Sequence, residues 1–158
     1  MPTQITIESV LPASPRAVWE AVQRVDTLAA VARPLLVFRP ALPGAALPER
    51  WPVGVPVPMR LWAFGAVPLG PHTLLVESAD DEAMTVQTRE RSPLLRRWDH
   101  RITVAPAGSG CALYADTVEV DAGPLTPVVA LVARLFFRHR HRRWQALART
   151  LASGARPS

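Results

Sequence analysis

Between residues 58 and 121 five strand-length segments follow one another with no helical stretch among them, and a single long helical stretch comes after. The segments lie near 58–67, 71–79, 83–91, 96–106 and 111–121. Turn-forming sequences separate them at Gly70-Pro71, Asp80-Asp81, Ser92-Pro93 and Gly108-Ser109-Gly110. Connections this short cannot carry the crossover that parallel strands need, so the run predicts an antiparallel meander. After Gly123 and Pro124, the apolar residues Val128, Val129, Val132, Leu135, Phe136, Leu147 and Leu151 recur at helical spacing and predict one long helix. A curved sheet wrapped around that helix encloses a space between them.

The N-terminal part completes the outline. TQITIESVL alternates, with Ile5, Ile7 and Ser9 on one side, and reads as a strand. In ASPRAVWEAV, Ser14 is a good N-cap, Pro15 suits the first helical position, and Val18, Trp19 and Val22 form a stripe. Asp26 caps a second short helix that ends before Pro34. Leu35 to Phe38 is a short strand, and a proline-rich connection from Pro40 to Pro58 reads as a long ordered loop or lid. The expected class is therefore α+β: six to seven antiparallel strands around a long C-terminal helix, with two short helices after the first strand. A chain of 158 residues supports one core, so a single domain is expected over 1–153, with 154–158 a short tail.

All 18 basic side chains are arginines, and their distribution is uneven. Residues 1–121 hold every acidic residue, whereas 122–158 hold seven arginines and none. One cysteine, Cys111, excludes an internal disulfide and a cysteine-based zinc cluster, and no metal or cofactor is expected. The start of the chain lacks the pattern of a signal peptide, and the apolar segment Pro127 to Phe137 is too short to cross a bilayer. A cytoplasmic protein is the expectation.

The stretches SPRAVWEAV, FGAVPLGPHT, RRWDHRITV, YADTVEVDAG and FFRHRHRRW together resemble the SRPBCC superfamily. These START-like, or helix-grip, domains include polyketide cyclases and lipid or hormone carriers. The chain is most similar to bacterial members with a YTD-type strand and a YRHRQRKW-type final helix. It departs from them at Tyr114-Ala115-Asp116 and at Phe136-Phe137, which removes two hydroxyl groups. The resemblance implies an internal hydrophobic cavity that binds a small molecule; it supplies no reaction, since one fold hosts many.

Strand alternation selects the candidate site residues. Met84, Thr88 and Glu90 share a face with Val86; Trp98 and His100 share one with Ile102 and Val104; Tyr114 and Asp116 share one with Val118 and Val120. Trp62 and Phe64, with Arg60 on the same side, are further candidates to line the cavity, while His72 reads as a turn or strand-end residue rather than a ligand contact. On the final helix, projection from Val128 places His139 and Arg143 in the apolar arc with Phe136. Arg140 falls at its edge, and Arg138 and His141 fall opposite. An arginine held against a core needs an acid. Glu90 and Asp116 are the acids on inward strand faces, so pairing with His139, Arg140 or Arg143 is expected.

Two readings of this cluster compete. In one it is a buried ion network that clamps the helix to the sheet; in the other it orients the polar group of an apolar ligand. A cyclase-like enzyme would use His100, Glu90 or Tyr114 as acid or base. No nucleophile elbow, phosphate loop or metal-spacing motif accompanies them. Nucleic-acid binding through Arg134, Arg138, His141, Arg142 and Arg149 lacks any recognition module. Peripheral membrane contact through the basic helix beside PLTPVVALVARLFF competes with a simpler reading, in which that segment is the buried half of the helix. The expected partner is a small hydrophobic molecule, with no nucleic acid.

Overall fold

The first strand of the sheet pairs with the last. A computed structural model describes residues 1–154; of the expected tail, 155–158 lie outside the described residues. Strand β1 (Thr3–Leu11) is followed by helices α1 (Pro15–Val22) and α2 (Val25–Ala32). Six strands come next: β2 (Leu36–Pro40), β3 (Val57–Ala63), β4 (Val67–Asp80), β5 (Thr85–Ser92), β6 (Leu95–Pro106) and β7 (Ala112–Asp121). A 3-10 turn at Gly123–Leu125 leads into α3 (Thr126–Ala152), 27 residues long. The sheet is antiparallel throughout, in the order β1-β7-β6-β5-β4-β3-β2. This is the α+β helix-grip arrangement expected from the pattern.

Ser14 caps α1 as its sequence predicts, its Oγ accepting from the Ala17 amide at 3.2 Å, with Pro15 at the first helical position. Asp26 does not cap α2; it lies in the first turn, where its carboxylate meets Arg24 at 2.6 Å. The loop 41–56 is tied down by backbone hydrogen bonds from Trp51 to Gln23 and from Gly54 to Val76. Trp51 and Leu47 pack against the main core.

Two expectations about strand faces fail for identifiable reasons. The reversal between β3 and β4 occurs at Phe64–Ala66, with positive φ at Phe64 and Gly65, rather than at Gly70-Pro71. Pro68 and Pro71 are tolerated within β4 because its pairing with β5 begins only at Thr73, so no neighbour on that side needs their missing N–H. The register shift beside Leu61 leaves Leu69 unpaired, and Gly70, at φ 99°, takes up the bulge. The inward residues of β3 are then Val57, Met59, Leu61 and Ala63, not Arg60 and Trp62. Arg60 is exposed, and Trp62 is covered from outside by the Arg39 guanidinium at 4.4 Å. Met84 precedes β5 with φ 49° and packs on the core rather than continuing the strand face.

The helix projection is also corrected. Along α3 the buried seam is Ala130, Ala133, Phe137, Arg140, His141, Trp144 and Ala148. Small alanines let the backbone approach the sheet, so the bulky aliphatics turn away. Val128, Leu131, Val132 and Leu135 are 55 to 61% exposed. The segment is therefore not the buried half of the helix. The seam is rotated from the arc drawn through those residues, which brings His141 inside and turns His139 and Arg143 outward. These two side chains instead donate to backbone carbonyls at the end of α2, Arg33 at 2.7 Å and Ala30 at 3.3 Å.

Candidate functional site

A cavity of about 580 Å³ lies between the inner face of the sheet and α3. Its wall is mostly apolar, built from residues such as Leu61, Val76, Val86, Ile102 and Phe137, with Trp51 reaching in from the 41–56 loop. Polar groups gather on one side: His72 of β4, Thr88 and Glu90 of β5, His100 of β6 and Arg140 of α3. Strand pairing brings them together, since Thr88 stands opposite His100 and Leu74, two residues beyond His72, stands opposite Glu90. Inward residues at successive register positions then form one polar stripe across three strands.

The stripe is a connected network. The His72 Nε2 is 2.8 Å from Glu90 Oε2, and the Thr88 hydroxyl donates to Glu90 Oε1 at 3.1 Å. His100 links the two acids: its Nδ1 lies 3.8 Å from Glu90 Oε1, an ionic contact too long for a hydrogen bond, and its Nε2 is 2.7 Å from Asp116 Oδ1. Asp116, 1% exposed, also accepts from Tyr114 at 3.0 Å and sits 3.1 Å from His141 Nε2. Arg140 donates to the Tyr114 oxygen at 3.0 Å, with its Nη2 3.6 Å from Asp116 Oδ1. His141 Nδ1 reaches Ser9 Oγ at 2.6 Å.

Charge states follow from these contacts. Burial alone would push the Glu90 carboxyl up, but the imidazoles of His100 and His72 outweigh it and bring the pKa from 4.5 to about 2. Asp116 is likewise disfavoured as an anion by burial, yet the Arg140 guanidinium and the imidazoles of His100 and His141 hold it far below the usual carboxylate range. Burial opposes a charged His100, and the hydrogen bond to Asp116 together with the nearby Glu90 carboxylate reverses the sign, raising its pKa. Tyr114 is pushed up by burial and by Asp116, so its phenol stays protonated. The network thus holds two carboxylates against a guanidinium, with His100 biased towards its charged form.

The sequence candidates divide by layer. Phe64, Thr88, Glu90, Trp98, His100, Phe136 and Arg140 reach the cavity wall. Tyr114 and Asp116 sit one layer behind, under Arg140 and His100. Arg60, Trp62, Met84, His139 and Arg143 lie elsewhere, as described above. Two residues escaped sequence reasoning. His72 is 5% exposed and lines the cavity; its alternation with Leu74 and Val76 against Thr73 and Glu77 was the available signal. His141 was lost with the helix projection. Ser9, His141 and Asp116 have the residue types of a hydrolytic triad, but Ser9 and His141 do not line the cavity, and the three act as a clamp between β1, β7 and α3. Among the described residues no cluster of metal-binding side chains occurs.

Residues 9–148 match a family described as a domain of unknown function, DUF8410. The chain belongs to that family. No curated protein matches it. Among solved structures, this DUF8410 member is similar to an aromatase/cyclase from Streptomyces, with a TM-score of 0.70 and 15% identity over 99% of this chain and 100% of that one. A START superfamily protein from Mycobacterium smegmatis gives 0.69 and 15% identity over 94% and 98%. A norcoclaurine synthase point mutant from Thalictrum flavum, in complex with a transition state analogue, gives 0.64 and 16% over 94% of each chain. At these identities the likeness establishes the fold alone: this chain shares the START-like, helix-grip architecture of those structures.

Proposed function

We propose that the chain binds a small, largely hydrophobic molecule in the cavity, with a polar group of that molecule set against His72, Glu90 and Arg140. The observation that carries this reading is the composition of the wall: a mostly apolar volume of about 580 Å³ whose polar groups, apart from Gln23, gather at one stripe. That volume falls in the range of small-molecule sites. Ionised Glu90 favours a hydrogen-bond donor on the ligand, such as a phenol or an enol.

Trp51 and Trp98 both line the cavity and supply the test. Titration with 2-naphthol is expected to change tryptophan fluorescence saturably. Glu90→Gln should weaken the apparent affinity by about tenfold, the loss of one charge-assisted hydrogen bond. Val76→Trp should abolish binding by filling the cavity. A linear, unsaturable response in the wild type defeats the reading.

The same stripe supports a cyclase-like alternative, because the His72–Glu90 pair is an imidazole and a carboxylate in direct contact at the cavity wall. In this alternative Glu90 and His100 would act on the ligand, whereas Tyr114, sealed behind Arg140 and held protonated, would not. Native mass spectrometry of material co-purifying with wild type and Glu90→Gln separates the two. The same bound mass in both supports binding alone; a different mass accumulating in the variant supports transformation.

A further inference from the structure

The mouth of the cavity carries an apolar rim contributed by separate parts of the chain. Phe64 and Leu69 stand on the β3–β4 hairpin, and Val132 and Leu135 on α3; all four are exposed, and all four border the same cavity. Val128 and Leu131 extend the apolar face along the helix, and exposed Leu94 tips the β5–β6 turn next to the cavity-lining Leu95. Soluble domains seldom leave so many large apolar side chains contiguous and uncovered.

Exposed arginines lie beside this rim, at the β5–β6 turn and along α3. Arg91 and Arg96 flank Leu94, and both are exposed. On α3, Leu131, Leu135, Arg138, Arg142 and Arg149 follow at spacings of three, four and seven, so a single face is apolar beside the cavity and basic beyond it. Arg134, Arg138, Arg142 and Arg149 are exposed and have no acidic partner among the described residues, and α3 contains no acid at all. The hairpin from Leu61 to Pro71 is uncharged.

We propose that this rim is a docking surface for an anionic lipid bilayer, which places the cavity mouth against the membrane. Apolar tips flanked by arginines match the boundary between acyl chains and anionic headgroups: the tips enter, and the guanidinium groups stay at phosphate level. Charge argues against a second copy of the chain, since pairing this face with itself would bring arginine stripes together. Nucleic acid would leave the apolar tips exposed. The proposal stands apart from the ligand reading, because it concerns the outer rim and not the polar stripe.

Co-sedimentation with vesicles of phosphatidylcholine, alone or mixed with phosphatidylglycerol, tests it. The wild type is expected to sediment with the mixed vesicles and not with phosphatidylcholine alone, and to be released by high salt. Leu131→Glu/Leu135→Glu should abolish sedimentation, and Arg134→Glu/Arg138→Glu should weaken it by about tenfold or more, in proportion to the surface charge removed. All four positions are exposed, so circular dichroism should match the wild type. Val76→Trp, which blocks the cavity, should sediment normally, so a failure of ligand binding and a failure of docking are told apart. Absence of sedimentation with mixed vesicles overturns the proposal. So does sedimentation indifferent to these substitutions, or a concentration-dependent dimer lost in Leu131→Glu/Leu135→Glu without vesicle binding.

Discussion

Asp116 is the residue on which the interior depends most. Its two oxygens face His100, Tyr114, His141 and Arg140, groups drawn from three separate elements. Removing its charge strands a guanidinium in the core, and breaking a buried pair from one side costs about 3 to 5 kcal/mol. Asp116→Asn should lose about that much stability in urea titrations, whereas the charge-free pair Asp116→Asn/Arg140→Met should lose less than the sum of the single changes. Additive losses would show that the two residues are not coupled. Asp116, Glu90, His100, Thr88 and Trp98 were legible from strand alternation, because a period of two leaves only two faces and the apolar neighbours choose between them. His141 was not legible: on a helix six consecutive basic residues point everywhere, and the choice among them turns on how closely the backbone approaches the sheet.

At the scale of elements, α3 shows why. Its alanines are weak hydrophobes by pattern but decide which face can lie against the strands, and no spacing rule ranks alanine above leucine. The launch of the helix is better determined. Gly123, at φ 61°, turns the chain out of β7, its amide donating to Asp121 Oδ1 at 2.8 Å, and Thr126 closes the turn by accepting from Ala122 at 2.9 Å. A Cβ at Gly123 would stand 3.0 Å from the Arg96 guanidinium carbon and would take a positive φ. Gly123→Ala should therefore cost about 1 to 2 kcal/mol, read as a lowered urea midpoint, while an unchanged midpoint would mean that the turn relaxes freely. The strands themselves were legible nearly to their ends. The β3–β4 reversal was not, because Gly-Pro normally marks a turn, and only the short reach of β5 makes it tolerable within a strand.

For the whole molecule, the network sets a window of pH. Glu90 has a folded pKa of about 2 against 4.5, so its contribution is present above 4.5 and is lost as pH falls towards 2. His100 is shifted upward, so its contribution is complete below about 6.5 and fades as pH rises through its folded value. Stability should accordingly peak between roughly pH 5 and 6.5. Glu90→Gln should flatten the acid limb of a urea-midpoint curve, and a limb unchanged in that variant would place the acid sensitivity elsewhere. The order of the strands has a consequence in time as well. Strands β3 to β7 are neighbours in sequence and zip as successive hairpins, but β1 finds its partner only across the whole domain, Thr3 against Val120 and Leu11 against Ala112. Closing so long a loop is slow relative to local pairing. The edge of the sheet that α3 packs upon, and with it the clamp through Ser9, therefore depends on the longest-range pairing in the sheet, and β1 can be joined to its neighbour only once the chain is complete through Asp121.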